Sequence, residues 1–202
     1  MEKTKWYIAG VLLIGAVIGI FFVGSLTSVV HWAGTNKFCG EFCHSMDLTY
    51  AAYKKGQHFQ TASGATAGCS DCHLLNHSNE HVGPLDYTML LLDKATAGTH
   101  SLIGEIQGTL DTPEKQLAMR KEMGEAVHKQ MLERNYSTCR GCHDISRMNN
   151  PKKPFVAQMH KNFDKDPKKP ADCIACHPKA GHDYAAADTE MAKAKLETAT
   201  KN

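Results

Sequence analysis

Four times in this chain a cysteine is followed directly by histidine, with a second cysteine three or four positions before the pair. The stretches are Cys39-Gly40-Glu41-Phe42-Cys43-His44, Cys69-Ser70-Asp71-Cys72-His73, Cys139-Arg140-Gly141-Cys142-His143 and Cys173-Ile174-Ala175-Cys176-His177. Together they use all 8 cysteines, so none remains for a disulfide. Paired thiols can form disulfides in an oxidising compartment or bind zinc, but neither explains a histidine after the second cysteine every time. Covalent haem attachment does. Two thiols must reach two vinyl groups on one porphyrin edge. Positions i and i+3 of a helical turn share a face, and the next residue's imidazole is left for the iron.

The first motif holds its cysteines four apart. Positions i and i+4 are also neighbours on a helix, so Cys39 and Cys43 are expected to grip one porphyrin with one residue bulged between them. His44 then approaches the iron at a skew, and Met46 becomes a second candidate axial ligand, since a thioether sulfur binds haem iron and raises its potential.

Residues 6–36 contain no Asp, Glu, Lys or Arg. The run WYIAGVLLIGAVIGIFFVGSLTSVVHW supplies enough apolar length to cross a ~30 Å hydrocarbon layer as a helix. A cleaved signal peptide is the rival reading, but the run is longer than a usual signal core and lacks an A-x-A-like site at its end. Lys3 and Lys5 precede it, which places the N-terminus in the cytoplasm and the rest of the chain across the membrane. That is the side of a bacterial inner membrane on which haem is attached. The expected division is a cytoplasmic 1–5, an anchor helix at 6–32, a periplasmic tetrahaem cytochrome c domain at 33–184, and a flexible or frayed tail at 185–202. The 23 basic and 21 acidic residues are interleaved, with no basic arm of the kind nucleic acid binding needs.

The fold class expected is mostly α: one transmembrane helix plus a small haem-packed domain with little or no sheet. The part beyond the anchor buries little apolar core unaided, so four covalently bound haem c groups must serve as its core. One longer helix is legible, with Asp111 as N-cap, Pro113 near the first position and Glu114 three after the cap. Met119, Met123, Val127 and Met131 recur at four-residue spacing on it. Those methionines read as packing residues rather than iron ligands, and His128 beside them as structural or exposed.

The four motif histidines leave eight others: His31, His58, His77, His81, His100, His128, His160 and His182. Low-spin haems want a second ligand, but spacing alone does not assign one. Here the chain resembles the NapC/NirT/NrfH membrane-anchored multihaem quinol dehydrogenases. The likeness rests on the single anchor, the four motifs in order, FCHSM at the first, CSDCH at the second, GTLDTPEK before the long helix, QMH at 158–160, and CIACH followed by His182.

The resemblance implies that His73 pairs with His182 at the second haem, His143 with His58 at the third, and His177 with His160 at the fourth. At the first haem it implies Met46, or His44 in its place, with the far side open toward quinol. The family's quinol site uses a lysine and an acid seven residues apart. In KATAGTHS, at 94–101, Lys94 fits, while Ser101 stands where the acid is expected. Its neighbour His100 offers an imidazole able to take a quinol proton, or alternatively a ligand that closes the first haem.

The implied activity is oxidation of membrane quinol, menaquinol first, with electrons relayed to a periplasmic reductase of nitrite, nitrate or a similar acceptor, in a complex with that reductase or with further copies of the chain. Two other readings stay open. One is a membrane-tethered relay with no quinol site, and the other is an enzyme reducing a small nitrogen or sulfur oxyanion at an open haem. The segment 74–92 reads as an overlong loop, with His77 and His81 unassigned.

Overall fold

The computed structural model describes residues 2–74, 84–148, 150–163 and 172–201, and every regular element among them is helical. Helix α1 spans Glu2–Trp32. Its Lys3–Trp32 stretch of 30 residues is about 45 Å long at ~1.5 Å per residue, more than a hydrocarbon layer needs. Apolar side chains cover its whole circumference, and none of them is buried: Leu12, Ile18, Phe21 and Val29 are all exposed. Two of its hydroxyls are paired internally, Thr27 donating to the Val23 carbonyl and Ser28 to that of Gly24, both at 2.8 Å. A hydrocarbon solvent demands such pairing. α1 is therefore long and apolar enough to span a membrane.

The chain then folds into further helices, short and long: α2 (Asn36–Glu41), α3 (Asp47–Lys55), α4 (Cys69–His73), α5 (Pro84–Ile106), α6 (Pro113–Glu133), α7 (Ser137–Arg140), α8 (Pro154–Phe163), α9 (Cys173–Cys176) and α10 (Tyr184–Lys201). The buried apolar residues among those described are Leu48, Ala52, Tyr53, Leu90, Tyr136, Ala157 and Ala187. They form no continuous core. Cysteine and histidine side chains instead converge between the helices.

Three expectations need correction. The chain has a second long helix, α5, and its 84–92 part falls in the stretch read as loop. Thr96, Gly98 and Thr99 weaken intrinsic propensity in 94–101, and contacts made by one face of α5 override it. Residues 75–83, with His77 and His81, lie outside the described residues. The N-cap of α6 is Thr112, whose hydroxyl accepts from Lys115 N, while Asp111 binds the Lys115 ammonium at 2.7 Å. Proline at the first helical position forces the residue before it into extended geometry, and Thr112, at φ −121° and ψ 151°, has that geometry. Finally, 184–201 is helical and its first turns are docked. Ala187 is buried, Arg120 of α6 makes a two-pronged contact with Asp188 at 2.7 and 3.1 Å, and α10 packs on α3.

Candidate haem-binding site

Each complete motif sits on a single short turn. α4 carries Cys69, Cys72 and His73, and α9 carries Cys173 and Cys176. In the third motif α7 holds Cys139, and the His143 N–H donates to the Cys139 carbonyl at 2.9 Å, so the turn continues through Cys142. Carboxylates fix two of these turns: Asp71 accepts from Gly68 N at 2.7 Å and Asp172 from Ala175 N at 3.0 Å.

The first motif differs from its expectation. α2 ends at Glu41, and Cys43 is extended at φ −116° and ψ 129°, so Cys39 and Cys43 do not share a helical turn. Gly40 lies buried under the Tyr50 ring, where a Cβ would collide with it. His44 opens a separate 3-10 turn to Met46. Its side chain is 86% exposed, with Nδ1 3.5 Å from the Asp47 carboxylate, whereas Met46 is half-buried.

Beyond the motifs, histidine rings meet in pairs. His58 and His143 have centroids 5.9 Å apart, His73 and His182 6.0 Å, and His160 and His177 6.3 Å. Two imidazoles bound to one metal at about 2.0–2.1 Å each, each ring centre lying about 1.1 Å behind its nitrogen, stand about 6.3 Å apart. The three separations are close to that spacing.

The far nitrogens are also fixed. His58 Nδ1–H donates to the Ala180 carbonyl at 2.6 Å and His182 Nδ1–H to that of Thr49 at 3.2 Å. Such bonds leave Nε2 bare for a metal. Burial, then the neighbouring His182, hold His73 down to about 4, so its ring is neutral.

Successive motifs are neighbours. The Cys39 and Cys69 thiols share a hydrogen bond, Cys72 lies near Cys139 and Cys142, and the Cys139 and Cys173 thiols share another. Polar side chains lock this series. Asn36 accepts from Cys69 N at 2.8 Å and donates to Tyr53 Oη at 2.9 Å. Buried Gln116 donates to the His44 and Leu110 carbonyls and accepts from Leu48 N. Asp172 accepts from Tyr136 Oη at 2.6 Å and contacts His128 Nε2 at 3.0 Å, which gives His128 its structural role. The methionine stripe of α6 is half-buried throughout.

Lys94 and His100 are not brought together. Six positions apart on α5, they point about 120° from each other. The Lys94 ammonium donates to the Val30 carbonyl at 2.8 Å, at the end of α1. Burial lowers its pKa, and nearby Cys39 opposes the shift. His100 and Ser101 are exposed. Sequence reasoning missed Glu105, which accepts from the N–H of Ser45, the residue after the first motif, at 3.4 Å. Its spacing was the available signal: eleven positions after Lys94 is three turns, hence the same face.

Short thiol-bearing turns, each closed by histidine, with second histidines opposite three of them, define a c-type cytochrome built for electron transport. The sequence matches the NapC/NirT cytochrome c family, N-terminal region, over residues 1–187, and the chain belongs to that family. It is 35% identical to cytochrome c-type protein TorC of Escherichia coli (strain K12) over 181 residues, 89% of this chain and 43% of TorC. It is 34% identical to cytochrome c-type protein NapC of the same strain over 173 residues, covering 85% and 80% of the two chains. Denitrification system component NirT of Stutzerimonas stutzeri is 31% identical over 182 residues, with 89% and 84% covered. The chain thus spans less than half the length of the TorC protein it matches, but most of NapC and NirT. No solved structure matches it.

Proposed function

We propose that this chain oxidises membrane quinol, menaquinol first, at its first motif and hands the electrons one at a time to a periplasmic reductase. The observation that carries this reading is the order of the motifs. The first follows directly on α1, and each of the others lies beside the one before it. Haem, joined through thioethers at all four motifs, would supply the one-electron chemistry. His73 with His182, His143 with His58, and His177 with His160 would hold it on both sides, and Met46 or His44 at the first motif on one side.

A quinol giving up two electrons also sheds two protons. Lys94, half-buried at the membrane end, polarises a quinol oxygen, and exposed His100 takes a proton outward. The domain at 33–184 stands on the periplasmic side of the inner membrane. The test is anaerobic mixing of the oxidised, detergent-purified protein with a menaquinol analogue while its absorbance bands are followed. Fast reduction blocked by a quinone-site inhibitor is expected; reduction by dithionite alone would remove the reading. A Lys94→Ala variant should lose at least about tenfold in that rate, about 1.4 kcal/mol of barrier.

One observation favours the tethered relay instead. The Lys94 ammonium is engaged by the Val30 carbonyl and turned away from His100. An unchanged quinol rate in Lys94→Ala would remove Lys94 from the mechanism, whereas reduction by dithionite but never by quinol would fit the relay.

A further inference from the structure

Helix α5 has two faces, and the functional reading uses only one. At about 100° per residue, Asp93, Lys94 and Glu105 fall on one side and tie the helix to the protein. Asp93 binds Arg134 at 3.0 Å, Lys94 the Val30 carbonyl, and Glu105 the Ser45 N–H. The opposite arc, about 140° wide, carries Met89, Leu92, Leu102, Ile103 and Ile106, which are 50%, 57%, 59%, 47% and 77% exposed. Between residues 88 and 106 that arc contains no ionisable side chain; His100 stands at its edge. Its threonines have withdrawn their hydroxyls, Thr96 donating to the Leu92 carbonyl at 2.8 Å and Thr99 to that of Ala95 at 2.7 Å. α1 treats Thr27 and Ser28 the same way.

The position of this arc is also fixed. Lys94 lies midway along α5, and its bond to Val30 pins the middle of α5 to the last turn of α1. That turn is where the apolar run of α1 stops. Beside it Phe38 and Phe42 stack and Trp32 meets both edge-on, with Trp32 49% and Phe42 68% exposed, as aromatic residues at a membrane boundary are.

We infer that α5 lies along the membrane surface with this arc sunk among headgroups and upper acyl chains, as a second lipid contact that sets the depth of the first motif. The bilayer is the occupant because the arc is exposed, apolar and uncharged on a helix tied to the end of the apolar run of α1, the pattern of an in-plane amphipathic helix. Attraction to anionic lipid contributes little, since the one basic residue between 88 and 106 besides His100 is Lys94, and it is turned inward. The inference rests on α1 crossing the membrane and not on quinol oxidation.

The test uses the full haem-loaded protein in nanodiscs of phosphatidylcholine containing a diazirine-bearing phosphatidylcholine. After irradiation, labelled peptides are mapped by mass spectrometry. Adducts are expected on α1 and on the α5 residues Leu92, Leu102, Ile103 and Ile106, but not on α6 at Leu117, which is 48% exposed. A Leu102→Glu/Ile103→Glu variant should lower α5 labelling severalfold and leave α1 labelling unchanged. Leu92→Gln provides the same comparison if the double variant fails to mature. Labelling of α1 without α5 would overturn the inference. So would cross-links between two copies through the arc in place of lipid adducts.

Discussion

Asp172 shows how much one carboxylate can hold in a domain with little apolar core. It caps α9 through Ala175 N, accepts from the buried Tyr136 hydroxyl and meets His128 of α6. Tyr136 sits in the left-handed region at φ 51°, a strained place for a bulky residue that burial and this bond stabilise. Burial alone would raise the Asp172 pKa, but the Tyr136 and His128 contacts outweigh it and hold it below its ordinary 3.8. A depressed acid contributes stability above its unfolded pKa and loses it as pH falls through the folded value. Asp172→Asn should therefore cost about 1–3 kcal/mol at neutral pH, a fall of several degrees in Tm. The loss relative to the parent should shrink as the parent is acidified below about pH 4. A Tm difference constant with pH would remove Asp172 from this role.

Helices, not single residues, bring the motifs into register, and Gln116 is the clearest case. One amide on α6 serves two carbonyls and one N–H around the first motif and α3. Gln116→Ala would strand these groups at about 1–3 kcal/mol. It should also perturb the absorbance and ligand spectrum of one haem while leaving the others unchanged; a uniform change would contradict the assignment. Elements with local signals were legible from sequence. α1 announces itself by its unbroken apolar run, and the motif turns by their cysteine spacing. Residues 113–131 show a proline start and a methionine stripe. α5 was not legible, because its Gly- and Thr-containing middle is weakly helical and its hold depends on Val30, distant in sequence. The extended Cys43 was missed for a related reason: Tyr50 over Gly40 decides the local path. Histidine pairing followed from family resemblance, since each pair joins distant parts of the chain and spacing carries no such information.

Across the whole molecule the ring pairs differ in orientation. The His58 and His143 planes lie at 88°, those of His73 and His182 at 55°, and those of His160 and His177 at 6°. Perpendicular axial imidazoles give a strongly anisotropic low-spin signal and parallel ones a rhombic signal. Low-temperature electron paramagnetic resonance of the oxidised protein should therefore resolve both kinds, and a His58→Ala variant should lose the anisotropic one. Rhombic signals alone would contradict the 88° pair. A His160→Met variant should raise the fourth potential by on the order of 100 mV, within the ~0.8 V that axial ligands command; an unchanged redox titration would count against His160 as a ligand. The closeness of motif to motif also bears on how such a molecule is made. Cys39 lies within hydrogen-bond reach of Cys69, and Cys139 of Cys173, although each belongs to a different motif. The Cys69 hydrogen bond draws the Cys39 thiol down to about 7, and the Cys173 hydrogen bond draws Cys139 to about 6. The ionised thiol is the form that attacks oxidised sulfur. With a disulfide-class oxidant present, a chain folded to this shape with bare thiols would join Cys39 to Cys69 and Cys139 to Cys173, each pair giving two electrons and two protons to that oxidant, so closing each motif before these contacts form keeps the pairing correct.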